Sequence, residues 1–276
     1  MITPSENVTA EGQAWAAQLA AWALPDAIIA QAPESPWVHD VASFAVDDAL
    51  DRDTRSAVAA REVLPLVGGV VLDVGCGGGR SSMPLVPPAA SLIGTDQSEA
   101  MLSAFAAAAA SSGVAVSTVL GRWPDVAPQT SVADVVVCHH VLFNVSDVEA
   151  FVLALTDHAR LAVVVEVPRH HPLSAWSGAW KHFWDLDRPL GPTDDDLVAV
   201  LRALGLEPEV WHGPRSSLSR SASDPARMIE SSRRRLCLPA SRDVELAAYL
   251  AEHPPAWEET VATIRWPGSA RPGMSD

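Results

Sequence analysis

The stretch that most constrains this chain is Val70-Val71-Leu72-Asp73-Val74, which runs straight into Gly75-Cys76-Gly77-Gly78-Gly79-Arg80-Ser81-Ser82. A short apolar run rich in β-branched residues predicts a buried strand. The glycines predict a tight turn, and the segment after them the start of a helix. Strand, glycine turn and helix in that order form the unit with which α/β sheets bind nucleotides. Glycine at 75, 77 and 79 lets the backbone turn sharply and brings its amides close to a ligand, where a Cβ would stand in the way.

Two nucleotide-binding devices are excluded at this loop. A dinucleotide fingerprint needs G-x-G-x-x-G/A, and counted from Gly75 its last position falls on Arg80. A P-loop needs Gly-Lys followed by Ser or Thr, and no lysine is near. A second apolar run, Ser91-Leu92-Ile93-Gly94-Thr95, ends on Asp96, about twenty residues past the loop, where a carboxylate accepts ribose hydroxyls. An acidic residue two positions before a G-x-G-x-G loop, with a D-x-S-x-x-M-L sequel over Asp96 to Leu102, resembles motif I and its continuation in the class I S-adenosylmethionine-dependent methyltransferases.

That resemblance implies a Rossmann-like, doubly wound sheet of seven strands in the order 3-2-1-4-5-7-6, with the last strand antiparallel. It also implies S-adenosylmethionine as cofactor and S-adenosylhomocysteine as product. Carried over residue by residue, it places the cofactor against Asp73, Gly75, Cys76, Gly77 and Gly79, with Asp96 on the ribose and Gln97 and Met101 beside it. The turn Gly121-Arg122-Trp123-Pro124 departs from the Gly-Asp-Ala of many relatives. Arg122 stands where an aspartate usually meets the adenine amino group, and Trp123 is expected to stack on the base. The apolar run Ala133 to Val137, ending in Cys138-His139-His140-Val141, resembles motif IV, so Cys138 and His139 are expected to hold the methionine ammonium through backbone carbonyls. His140 and Asn144 would face the point of methyl transfer, with His140 a candidate general base and His171 a second one. The Gly-Arg-Trp-Pro and Cys-His-His-Val turns are most similar to those of actinobacterial members of the family.

Composition bounds the partners. With 34 acidic and 19 basic residues the formal charge is −15, a field that repels polyphosphate backbones and disfavours nucleic acid as substrate. Three cysteines are too few for a disulfide framework, and no metal-ligand spacing occurs. With no charged-then-apolar leader and no long apolar run, a cytoplasmic protein without a membrane segment is expected, as monomer or homodimer. The expected substrate is a small-molecule acceptor. The alternative is a regulatory or partner-binding module that holds S-adenosylmethionine or S-adenosylhomocysteine without chemistry.

The remaining chain is read as extensions of the domain 54–276. In residues 1–53, Glu11 to Leu24 reads as a helix with Trp15, Leu19 and Trp22 on one face. It either packs on the main domain or, with the segment Trp37 to Asp48, forms a lid. A helix is expected over Thr54 to Val67, ended by Gly68-Gly69, and a helix of about two turns after the glycine loop, cut short by Pro84 and Pro87-Pro88. Ser98 and Gly113 bracket a further helix as its N- and C-caps. Insertions fall at about 169–192 and 213–258. In the first, Trp176, Trp180 and Trp184 lie four apart on one helical face. They form either an aromatic wall for an apolar acceptor or a face buried in protein. In the second, Arg233-Arg234-Arg235 is the chain's basic concentration, read as an intramolecularly paired face or an anion site.

Overall fold

The computed structural model describes residues 8–36, 50–215 and 225–270. The segment Trp37 to Asp48, the serine-rich run Ser216 to Ser223 and the end of the tail lie outside them. Seven strands form one sheet: β1 (Gly69–Val74), β2 (Ala89–Asp96), β3 (Ala115–Leu120), β4 (Ala133–His139), β5 (Ala159–Pro168), β6 (Glu209–Pro214) and β7 (Thr260–Pro267). Their order is β3-β2-β1-β4-β5-β7-β6. Strands β1 to β5 are parallel, and β7 runs antiparallel between β5 and β6. This is the order that the resemblance implies.

Register decides where the strands end. Val74 pairs with Thr95, Asp73 with Val137, and His139 with Glu166. The C-terminal ends of β1, β2, β4 and β5 therefore open on one edge, the crevice in which α/β sheets bind ligands.

Both faces of the sheet are covered, which is why its central strands read as continuous apolar runs. One face packs α3 (Arg55–Arg61) and α4 (Glu99–Ser112) on Val71, Leu92, Val135 and Val164. The other packs α5 (Val148–His158), α7 (Asp194–Ala203) and the N-terminal α1 (Ala10–Ala20) on Leu72, Val136, Val163 and Ile264. Helix α1 is fixed there by Trp15, which is fully buried, stacks on Phe143 at 5.5 Å and donates its indole N–H to the Val145 carbonyl at 2.8 Å. The Thr9 side chain caps α1 and also meets Glu149 of α5.

Cap chemistry set the accurate boundaries. Ser98 Oγ accepts the Met101 amide at 3.3 Å, and Gly113 closes α4 at φ +68°. Thr193 and Asp196 form a reciprocal capping box on α7. Two expected helices are shorter. The one from Thr54 stops at Arg61, because Pro65 follows closely and Leu66 and Val67 are exposed and bury nothing. After the glycine loop there is only a 3-10 turn, Met83–Leu85, since the prolines at 84, 87 and 88 leave too few amides for an α-helix.

The two insertions and the N-terminus meet in a third apolar cluster. Leu24, Ile28 of α2 (Asp26–Ile29), Trp176, Ala179, Trp180 and Phe183 around α6 (Ser177–Trp184), Leu236 to Leu238 after α8 (Pro225–Arg235), and Leu246 of α9 (Asp243–Glu252) form one small core.

Candidate active site

Gly75, Gly77 and Gly79 all have positive φ, at +69°, +49° and +97°. The loop is anchored from behind: the amides of Gly75 and Cys76 both donate to the Thr95 carbonyl, at 2.8 and 3.0 Å. A Cβ at Gly75 would lie 2.5 Å from Val141 Cγ2, so the loop and the chain after β4 are in contact. Asp96 reaches across from β2. Its Oδ2 accepts the Gly77 amide at 3.0 Å and its Oδ1 the Ser98 amide at 2.9 Å. Each carboxylate oxygen has two acceptor sites, so both still have one for a ligand hydroxyl.

Asp73 lies beneath the loop. It is fully buried and accepts the hydroxyls of Ser81 and Ser82 at 2.6–2.8 Å. Burial pushes its carboxyl up to about 6, against the lowering effect of the two serines. Its role here is to hold the loop, which corrects the expectation of direct cofactor contact. Cys76 is buried, and desolvation with the neighbouring Asp73 and Asp96 pushes its thiol far up, leaving an inert side chain. Met101 is buried in α4, while Gln97 is exposed at the end of β2. Gly121 donates its amide to the Asp96 carbonyl at 2.9 Å, and Arg122 beside it is exposed. Trp123 departs from its expected place against adenine. It is buried, packs edge-on to His158 at 4.9 Å and directs its indole N–H to the Phe151 carbonyl at 3.4 Å. It belongs to the core under α5.

At the end of β4, Cys138 is buried and burial raises its thiol well above the ordinary range. His139 is held neutral by burial, which draws its imidazole down to about 4. Its Nε2 is sealed from solvent with no partner among the described residues. His140 has φ +59°, a left-handed conformation that costs a non-glycine residue about 1 kcal/mol. Its amide donates to the Glu166 carbonyl at 2.8 Å, and its Nε2 lies 3.1 Å from Glu166 Oε1. Ser56 of α3 donates its hydroxyl to Glu166 Oε2 at 2.7 Å. Burial alone would raise the Glu166 carboxyl. The hydrogen bond from His140, the two facing imidazoles and Ser56 outweigh that and hold it below the usual carboxylate range. Ser56 lies 110 residues from Glu166 in sequence, and no local pattern marks it.

His171 does not serve as a proton acceptor. Its Nδ1 accepts the Leu173 amide at 3.1 Å, its ring bonds the Phe143 backbone and stacks on Trp22 at 4.3 Å, and burial draws it down to about 4. Its imidazole caps the turn that begins at Pro172. Asn144 is exposed, and its amide turns back to the Val141 carbonyl at 3.2 Å. With Leu19, Trp22, Phe143 and His171 it lines an open cavity of about 310 Å³.

The aromatic wall is a cap core. Trp176 and Trp180 are buried, and Trp176 donates to Ser232 Oγ at 3.2 Å. Trp184, partly buried, donates to the Leu236 carbonyl at 2.7 Å. All three are occupied within the protein, which corrects their assignment to the acceptor. The arginine cluster is likewise paired: Arg233 with Asp243 at 3.1 Å, Arg234 with Glu34 at 3.8 Å, and Arg235 with the Pro36 carbonyl at 2.9 Å. Among the described residues no helix is long and apolar enough to cross a membrane.

A parallel five-strand core with an antiparallel β7, a glycine turn after β1 and an acid ending β2 define the class I, Rossmann-like methyltransferase fold. Residues 71–162 match the methyltransferase domain family. Fold, loop and the match over residues 71–162 make this chain similar to the class I S-adenosylmethionine-dependent methyltransferases. It is 36% identical over 105 residues to ubiquinone biosynthesis O-methyltransferases of Rhizobium etli and Rhizobium johnstonii, a match covering 38% of this chain and 41% of each relative. The match thus spans about two fifths of those curated relatives. In fold it is similar to a methyltransferase from Thiobacillus denitrificans in complex with S-adenosylhomocysteine (TM-score 0.51, 17% identity, 83% of this chain and 96% of that one). It is similar also to magnesium protoporphyrin IX methyltransferase from Synechocystis PCC 6803 (TM-score 0.50, 18% identity, 79% and 81%).

Proposed function

We propose that the protein binds S-adenosylmethionine in the crevice above β1, β2 and β4 and catalyses methyl transfer to a small-molecule acceptor. The observation that carries this reading is the Asp96 carboxylate bonded to the Gly77 amide, which joins the glycine turn to an acid with acceptor sites to spare. The fit of the cofactor rests on that pair and on the sealed Nε2 of His139, which has no partner among the described residues. When bound, the cofactor supplies an electrophilic methyl group on a sulfonium centre. The protein's part is then to hold the reactants in line and exclude water. Asp96 would take the ribose hydroxyls, and the turn from Gly75 to Gly79 would let the backbone approach closely. Cys138 and His139 would offer backbone carbonyls to the ammonium group. His140 would accept the proton of a hydroxyl acceptor.

The O-methyltransferases matched above act in ubiquinone biosynthesis, and the Synechocystis relative by its name acts on magnesium protoporphyrin IX; both support a small-molecule acceptor for this chain. The net charge of −15 argues in the same direction, against nucleic acid. A cytoplasmic monomer or homodimer completes the reading. Calorimetric titration of the purified protein with S-adenosylmethionine and S-adenosylhomocysteine tests it. Micromolar binding of both is expected, and binding of neither would overturn it.

A further inference from the structure

The hydrogen-bond chain Ser56–Glu166–His140 has no place in the apolar core, and none of its three side chains is among the groups that would hold the cofactor. Glu166 is 8% exposed, an uncommon setting for a carboxylate, and each of its oxygens is engaged by a side chain. The Ser56 hydroxyl has Oε2, and His140 Nε2 has Oε1. The backbone adds a third tie, His140 N–H to the Glu166 carbonyl, across the same β4–β5 register that pairs His139 with Glu166. His140 keeps a left-handed backbone conformation that a non-glycine residue adopts only where its surroundings impose it. Its side chain is one-third exposed, so the ring is gripped at one nitrogen and open elsewhere.

A carboxylate accepts and cannot donate, so the ring nitrogen facing Glu166 must carry the proton. The neutral imidazole is thereby fixed as the Nε2–H form, with its lone pair on Nδ1. From this geometry we infer that Glu166, itself held by Ser56, is the positioning residue that presents His140 Nδ1 as the proton acceptor in methyl transfer. The inference rests on the methyltransferase reading above. In the step it serves, the acceptor oxygen bonds to the methyl carbon while its proton passes to Nδ1. The carbon–sulfur bond breaks with its electron pair going to sulfur, leaving S-adenosylhomocysteine and a protonated His140 beside the Glu166 carboxylate.

Nitrogen-15 NMR of the imidazoles tests this without an acceptor, with His140→Gln used to assign the signals. In the unsubstituted protein with His140 neutral, its two nitrogens are expected at the widely separated shifts of a single Nε2–H form, with a slowly exchanging Nε2 proton. In Glu166→Leu the separation should narrow to that of a tautomer-averaged, solvent-exposed histidine, and the proton signal should vanish. Glu166→Gln keeps the shape and so guards against misfolding. A neutral acceptor grips less firmly, and exchange of the Nε2 proton should quicken about tenfold. All three variants should bind S-adenosylhomocysteine, the probe in a parallel calorimetric titration, as the unsubstituted protein does. Unchanged nitrogen shifts and proton exchange in the folded Glu166 variants would overturn the positioning role and leave the methyltransferase reading standing. Failure of the unsubstituted protein to bind S-adenosylhomocysteine would overturn both.

Discussion

The Asp96 carboxylate and the Gly77 amide are 3.0 Å apart, so the acid that ends β2 also fixes the turn that follows β1. A second oxygen of the same carboxylate ties down Ser98 at the head of α4. One side chain thus sets the relative position of three elements around the crevice.

Asp96→Ala removes those ties together with the ribose acceptor. Hydrogen bonds to a charged group are worth about 1.5–3 kcal/mol, so affinity for S-adenosylmethionine should fall by about ten- to a hundredfold. Calorimetric titration checks this. Unchanged affinity would remove Asp96 from the ribose.

Gly75→Ala should weaken both stability and binding. The residue sits at φ +69°, a conformation costing an L-residue about 1–2 kcal/mol, and its Cβ would press on Val141 Cγ2 at 2.5 Å. A melting temperature several degrees lower is expected, with loss of cofactor affinity in the same sample. A variant that melts and binds like the original would contradict the close approach of loop and β4.

Asp73 should make the protein less stable as pH rises from about 4 to 6. Its carboxyl is raised from 3.8 to about 6 in the fold, so in that window the native state holds a proton that the unfolded chain has lost. Stability falls wherever the native state binds more protons. Across the window the loss amounts to about 3 kcal/mol, since one pKa unit is worth about 1.4 kcal/mol. Denaturant unfolding of the original and of Asp73→Asn at several pH values isolates it. Their stability difference should shift in favour of the original on the acid side, and a flat difference would refute the assignment.

Trp15→Ala should cost about 3–5 kcal/mol, the price of emptying a fully buried tryptophan site. Trp180→Ala in the cap should be destabilising in the same way while leaving S-adenosylhomocysteine affinity intact. Thermal melting and titration separate the two effects. A Trp15 variant that melts normally would return α1 to the role of a lid.

Much of this architecture was legible because each signal was local. The strand before Gly75, the acid at 96 and the caps Ser98 and Gly113 are marked by neighbouring residues whose chemistry has few other uses. The strand order came with the family resemblance, not with periodicity. Trp123 was misread because an aromatic beside a glycine turn looks the same whether it faces a ligand or the helix behind it. The tryptophans of α6 were ambiguous for a similar reason: a four-residue spacing defines a face but not what covers it. Glu166 lies within β5, two residues before its end, and no neighbouring residue marks it. Its partners Ser56 and His140 come from a helix before β1 and a turn after β4, and only the parallel register brings them to one point.

The position of β7 has a kinetic consequence. It is the last strand in sequence, yet it lies between β5 and β6. Until residues 260–267 arrive, the backbone of β5 presents an unpaired ladder and β6 has no neighbour at all. Pairings so distant along the chain are slow to form, and open strand edges are where partly folded chains associate. As the polypeptide leaves the ribosome, the crevice strands β1, β2 and β4 are ready to assemble well before the sheet is sealed. The interval between those events is when this protein is most exposed to aggregation.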